Sequence, residues 1–238
     1  MDLTNQKIVI IGGSSGIGLA TAKAIVAAGG NVVIASRSEA KLNAAKAEIG
    51  ERVTTFSLDI TNEEEVQKLF SSVGSFDGLV ITISVEAMGA FVELDSQVAR
   101  QIFENKFWGH YYAAKYGAAQ LKPSGAIIFF SGYASQKPVP NLSIMASVNG
   151  ALEALARSLA VELSPIRVNV VSPGLVATPL YEGMPTEQRQ NYFNYVADSL
   201  PVKRIAQPED IAETVLYLIN NKFTTGAVID VDGGARLV

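Results

Sequence analysis

The 238 residues predict one doubly wound α/β domain, a parallel sheet covered by helices on both faces. Short apolar, β-branched runs recur along the whole chain, amphipathic stretches of helical length separate them, and no linker-like composition interrupts the rhythm. The runs are apolar throughout rather than alternating, which indicates strands buried on both faces.

The elements follow in order. Strands are expected at Lys7–Ile11, Asn31–Ala35, Val53–Ser57, Gly78–Thr82, Ala126–Phe130, Arg167–Val171 and Ala227–Val231. Helices are expected at Gly16–Ala28, Glu39–Ile49, Glu63–Ser72, Val98–Leu121, Ser143–Leu163 and Pro208–Asn220. Seven strands fit one sheet, so residues 1–238 read as a single domain. The stretch Thr178–Leu200 breaks the pattern, being rich in Tyr, Asn and Gln. An insertion there, at the carboxyl edge of a parallel sheet, reads as a loop that shapes a substrate pocket.

Composition narrows the function. Apolar residues make up 48%, ample for a core, yet no run of eighteen apolar residues appears, so no membrane partner is expected. The opening MDLTNQKIVIIGG has no basic segment ahead of an apolar one, so no signal peptide is expected. With no cysteine there are no disulfides, thiolate metal sites or cysteine nucleophiles. This suits a cytoplasmic protein, and no metal site is expected. The net charge of −4 is spread without a basic stripe, so no nucleic-acid partner is expected.

After the first strand comes Gly12-Gly13-Ser14-Ser15-Gly16-Ile17-Gly18, and then an Ala-rich helix. In that context the glycines have distinct physical uses. Gly12 permits a tight turn, Gly16 lets backbone approach a pyrophosphate, and Gly18 lets the helix pack on the strand. The helix N-terminus supplies free N–H groups and partial positive charge to an anion.

With this spacing, the chain resembles the short-chain dehydrogenase/reductase family, and further matches run to its end. Asp59 and Ile60 follow the third strand, where the resemblance implies contact with an adenine. Asn105 in ENKFWGHYYAAK resembles the family's helix Asn. Arg167–Gly174, followed by Val176 and Thr178, resembles its RVNxVxPG segment, with Pro173 and Gly174 beside the cofactor. Pro208–Ala212 and Val231–Gly234 resemble its C-terminal landmarks. The resemblance implies a Rossmann-type fold, a nicotinamide cofactor, a small-molecule substrate and a homodimer or homotetramer. Pairing would use the helices around Val98–Leu121 and Ser143–Leu163 and the C-terminal strand, and Ala113, Ala114, Gly117 and Ala118 would allow close helix approach.

The end of the second strand selects the cofactor. It reads Ser36-Arg37-Ser38, where NAD-dependent members of the family carry an acidic residue. A guanidinium offers bidentate donors to a 2′-phosphate, which favours NADP(H). The alternative is that Arg37 is solvated or stacks on adenine. Ser14, Ser15, Ile17 and Ile83 complete the expected cofactor contacts.

The family's catalytic residues are a different matter. Its pattern near LSAYSASKAAL becomes Leu142-Ser143-Ile144-Met145-Ala146-Ser147-Val148-Asn149-Gly150-Ala151-Leu152. Met145 stands at the Tyr position, Asn149 at the Lys position and Gly132 at the Ser position. The family's NNAG becomes Ile81-Thr82-Ile83-Ser84. A thioether donates no proton and an amide carries no charge, so the Tyr/Lys mechanism is absent. Asn149 keeps the ability to hydrogen-bond a ribose. Catalytic candidates are then Asn105, Ser131 and Tyr133, with Gly132, Met145 and Tyr181 shaping the pocket. Tyr133 and Tyr181 also read as aromatic packing. Lys137 reads as a solvated loop charge, and His110 as a surface or interface residue. Two functions remain open: an NADPH-dependent oxidoreductase with a non-standard mechanism, or a non-redox NADP(H)-binding sensor, structural protein or enzyme on the same fold.

Overall fold

The computed structural model describes residues 2–84 and 88–238. Its sheet has seven parallel strands. They are β1 (Lys7–Ile11), β2 (Asn31–Ser36), β3 (Val53–Ser57), β4 (Phe76–Ile81), β5 (Leu121–Phe130), β6 (Arg167–Pro173) and β7 (Val228–Val231). The order β3-β2-β1-β4-β5-β6-β7 reverses direction between β1 and β4. The crevice at such a reversal, outside the carboxyl ends of the strands, is where this architecture holds ligands.

The helices are α1 (Gly16–Ala27), α2 (Glu39–Ile49), α3 (Glu63–Val73), α4 (Ser96–Ile102), α5 (Gly109–Ala118), α6 (Ser143–Glu162), α7 (Thr186–Ser199) and α8 (Pro208–Asn220). Successive strand residues point to opposite faces, so each strand feeds two cores. Val9, Ile11, Leu79, Ile127 and Phe129 pack against α3, α5 and α6. Ile8, Ile10, Val80, Ile128 and Phe130 pack against α1, α2 and α8. This is why the strands read as unbroken apolar runs. By length and composition α6 would also cross a membrane; here its Met145, Val148, Leu152 and Ala156 are buried inward.

The structure corrects the sequence reading in several places. The helix expected over Val98–Leu121 is three pieces: α4, a π-helical segment Phe103–Trp108, and α5. A π turn carries an extra residue, so the side chains after it rotate by about 100° relative to a continuous α-helix. That rotation buries His110 completely, against the expectation of a surface position. Ala113, Ala114 and Gly117 are likewise buried, so they do not offer a surface for close helix approach. A Cβ on Gly117 would lie 2.8 Å from Leu79 Cδ2, so the small residue seats the helix on the sheet.

Leu121 opens β5, five residues earlier than expected. Leu121 pairs with Phe76 and Ala126 with Gly78, so the intervening Lys122–Gly125 bulges out of the ladder. Its polar Lys-Pro-Ser-Gly composition hid the strand. Within the expected pocket loop 178–200, a 3-10 turn (Pro179–Tyr181) and α7 account for most residues. Lys137 is not simply solvated: its Nζ donates to the Ala235 carbonyl at 3.0 Å.

Candidate functional site

A cavity of about 740 Å³ opens at the carboxyl edge of the sheet, from the glycine turn to α7. Its first end is built by backbone. Gly12 has φ +90, a region L side chains rarely adopt. A Cβ on Gly18 would sit 2.3 Å from the Gly12 carbonyl oxygen, so only glycine lets α1 start this close to β1. Ser14, Ser15, Gly16 and Ile17 complete that wall.

Ser36, Arg37 and Ser38 line the next stretch, joined by Lys41, which the sequence reading missed. Ser38 caps α2 by accepting from the Lys41 N–H at 3.3 Å, which brings both cations to the same rim. The Ser36 hydroxyl is buried and has no hydrogen-bond partner among the described residues. A buried unpaired hydroxyl is costly, and a ligand oxygen would satisfy it. The glycine cradle, this hydroxyl and two exposed cations fit a dinucleotide with an additional phosphate.

Ile60, Ile83, Pro173, Gly174, Val176 and Thr178 also line the cavity. Asp59 does not. Its Oδ1 accepts from the Thr61 N–H at 3.0 Å and the Thr61 hydroxyl at 2.8 Å, which holds the carboxylate in its own turn. Leu58 and Ile60 take the wall on either side of it.

At the centre, β5 ends at Phe130, Ser131 and Gly132 follow it, and a 3-10 turn (Tyr133–Ser135) comes next. Ser131, Gly132, Tyr133, Met145 and Asn149 all line the cavity. The Ser131 hydroxyl is a second buried donor with no partner among the described residues. Met145 is 7% exposed and packs with Ile102 and Val148. Asn149 donates through Nδ2 to the Gly132 carbonyl at 3.3 Å. A Cβ on Gly132 would lie 3.1 Å from that nitrogen, so the amide has taken space beside the glycine.

At this end of the cavity, sequence reasoning missed Lys106. Asn105 lines the cavity, but its Nδ2 donates one turn back to the Gln101 carbonyl at 2.8 Å. Its neighbour Lys106 reaches inward and is 2% exposed. The Lys106 ammonium donates to the Ser131 carbonyl at 3.1 Å and to Asn149 Oδ1 at 2.6 Å. A lysine inside an amphipathic helix reads as solvated; the π turn brings this one inside. The signal available in the sequence was its adjacency to Asn105.

His110 supports this segment from below. Its Nδ1 lies 2.6 Å from the Lys106 carbonyl and its Nε2 3.2 Å from the Ile81 carbonyl. Burial, and then the Lys106 charge, lower its pKa to about 3. The ring is therefore neutral, with one proton for the two carbonyls.

The far end is apolar. Val139, Leu142, Leu180 and Val196 line it with Tyr181 and Tyr192. The Tyr181 ring packs at 6.2 Å from Tyr192 and 5.4 Å from Phe193, joining the 3-10 turn to α7.

Residues 12–236 match the family model described as Enoyl-(Acyl carrier protein) reductase. The chain is 32% identical over 250 residues to the short-chain dehydrogenase/reductase ATR9 of Stachybotrys chlorohalonatus, covering 99% of this chain and 98% of that one. It is 31% identical to the L-xylulose reductase of Bos taurus, over 98% of this chain and 97% of that one. A small-chain dehydrogenase solved in complex with NADPH superposes with a TM-score of 0.87 at 39% identity, each chain fully covered. A short-chain oxidoreductase from Pseudomonas aeruginosa PAO1, described as containing an atypical catalytic center, superposes with a TM-score of 0.91 at 25% identity, over 98% of both chains.

Proposed function

The chain belongs to the short-chain dehydrogenase/reductase family, and we propose that it is an NADPH-dependent oxidoreductase acting on a small, largely apolar organic substrate without the family's Tyr/Lys pair. The observation that carries this reading is the continuous cavity. It joins a phosphate-binding turn and two cations at one end to an apolar chamber at the other. NADPH, when bound, supplies hydride.

This chain's own residues do the rest. The glycine turn and the α1 N-terminus hold the pyrophosphate. Ser36, Arg37 and Lys41 hold the 2′-phosphate, and Asn149 faces the nicotinamide ribose. Tyr181 and Tyr192 cover the substrate and exclude water. Met145 shapes the chamber and moves no proton. Tyr133 is the proposed proton donor, because it lines the cavity beside Gly132 and carries an exchangeable hydroxyl. Conjugated C=C and imine-like acceptors suit such a site, since the enolate or amine left by hydride transfer can also take its proton from water once the chamber reopens.

The test is anaerobic NADPH consumption against a panel of enones, quinones, imines and ketones. Turnover of a conjugated or imine acceptor with little on simple ketones supports the reading. NADPH binding with no turnover on any acceptor would favour a non-catalytic sensor, for which the methionine at position 145 is the motive. The proposal extends to a cytoplasmic homodimer or homotetramer. Val161, 78% exposed on α6, and Phe223, fully exposed, are apolar groups an interface would cover. A monomer by light scattering at micromolar concentration overturns that part.

A further inference from the structure

We propose that the cation of this site has changed walls: Lys106 supplies it from the π-helical segment, and Asn149 on α6 serves as the amide that it positions. The inference deepens the reading of the site as an NADPH site and rests on it. A family member of the ordinary kind has its amide on the first wall and its lysine on the second; here the first-wall amide, Asn105, turns back to the Gln101 carbonyl, and its neighbour Lys106 takes the inward place. Here the two chemical types stand exchanged and still meet, with Lys106 Nζ 2.6 Å from Asn149 Oδ1.

Several observations make the pair a device rather than a chance contact. Lys106 is 2% and Asn149 3% exposed, yet both line the cavity. Burying an ammonium costs several kcal/mol unless the surroundings hold it. It is held by the carbonyl of Ser131, the residue after β5, and by the side-chain oxygen of Asn149 on α6. The π-helical segment is what turns it inward, and His110 anchors that segment through the Lys106 carbonyl.

The consequence for Asn149 is orientation. Its oxygen faces the ammonium, so its NH2 must face away, and one N–H already reaches the Gly132 carbonyl. The amide is thereby presented as a donor at the point where the cavity passes from the cofactor end to the apolar end. A buried positive charge at that point also favours negative charge developing on a bound acceptor. Lys106 is thus a positioning residue that acts through Asn149.

The exchange has a structural corollary. Asn149→Lys alone sets two ammonium groups against each other in a site with little solvent, which is unfavourable for both. Lys106→Asn with Asn149→Lys returns the pair to the ordinary arrangement.

The experiment compares the starting protein with Lys106→Met, Lys106→Arg, Asn149→Lys and the double exchange. Fluorescence titration measures binding of NADPH and, separately, of adenosine 2′,5′-bisphosphate, which lacks the nicotinamide half. Lys106→Met is expected to weaken NADPH roughly 10- to 100-fold and to leave the bisphosphate within about twofold. Lys106→Arg is expected to retain most of the NADPH affinity. Asn149→Lys is expected to lower both NADPH affinity and Tm, and the double exchange to recover both.

Equal NADPH affinity in Lys106→Met and the starting protein overturns the inference, as does a double exchange no better than Asn149→Lys. A loss of both ligands in Lys106→Met marks a structural role only and also overturns it. If the starting protein binds neither ligand, the NADPH reading itself has failed. If Lys106→Met does not fold, the double exchange decides alone.

Discussion

The two ends of the cavity are built in different ways. At the cofactor end, one contiguous segment from Gly12 to Gly18 makes the cradle out of backbone, and Ser36–Lys41 adds the rim. At the reaction end, single side chains from the π-helical segment, the end of β5 and α6 converge. Lys106 meets partners 25 and 43 residues away in sequence. A backbone cradle depends on glycine at fixed spacings and tolerates little change. A convergent cluster exchanges its members freely, because each is a single substitution on a separate wall. On that contrast, a substitution in the cradle should cost more than one in the cluster.

The sharpest break of the cofactor end is Gly18→Val. Its Cβ would lie 2.3 Å from the Gly12 carbonyl oxygen, a clash of backbone against side chain. NADPH binding should be abolished, with stability lowered by about 3 kcal/mol. Titration and thermal melting check this; wild-type affinity in this variant would mean the turn is not the cradle.

Tyr133→Phe tests the reaction end alone. Turnover should fall by about 10²–10⁴-fold with NADPH affinity nearly constant. Turnover within a fewfold of the starting protein would move the proton donor to another group or to water.

Acid tests the anchor beneath Lys106. His110 is the sole histidine, and its pKa is lowered to about 3 from 6.5. A depressed histidine pKa means the unfolded chain binds the proton more readily. Its contribution is therefore present above pH 6.5 and is lost as pH falls toward 3. Stability should drop by a few kcal/mol across that interval. Carboxylates add their own losses below about pH 5, so the range from 6.5 to 5 isolates the imidazole. Urea melts of the starting protein and His110→Asn check it; the variant should show a flatter profile there, and identical slopes would sink the assignment.

Arg37→Ala gives the smallest expected effect, about 1.5–3 kcal/mol of NADPH affinity, with NADH binding unchanged. Lys41 shares the rim and would retain part of the preference. Calorimetry showing equal NADPH and NADH affinities in the starting protein would remove the basis for the cofactor choice.

Restoring the family's ordinary machinery therefore takes more than the positions it names. Met145→Tyr and Asn149→Lys would leave Lys106 facing a second ammonium. Gly132→Ser on its own, with Asn149 in place, would bring a Cβ to 3.1 Å from that amide nitrogen. The resident Lys106 has to leave first.

The sequence by itself determined the fold and the cofactor end. Unbroken apolar strands, helical spacing and the run Gly12–Gly18 are local signals, because backbone conformation is set by adjacent residues. Every residue named for the cofactor from that reading lines the cavity except Asp59, whose carboxylate is held by Thr61. Tertiary structure alone decided the reaction end. The π turn Phe103–Trp108 adds a residue to the helix; Lys106 within it and His110 after it both end up buried. No local pattern records that turn. It is fixed by contacts with Ile81 at the end of β4, Ser131 just after β5 and Asn149 on α6, and it sets which side chain brings positive charge to the site.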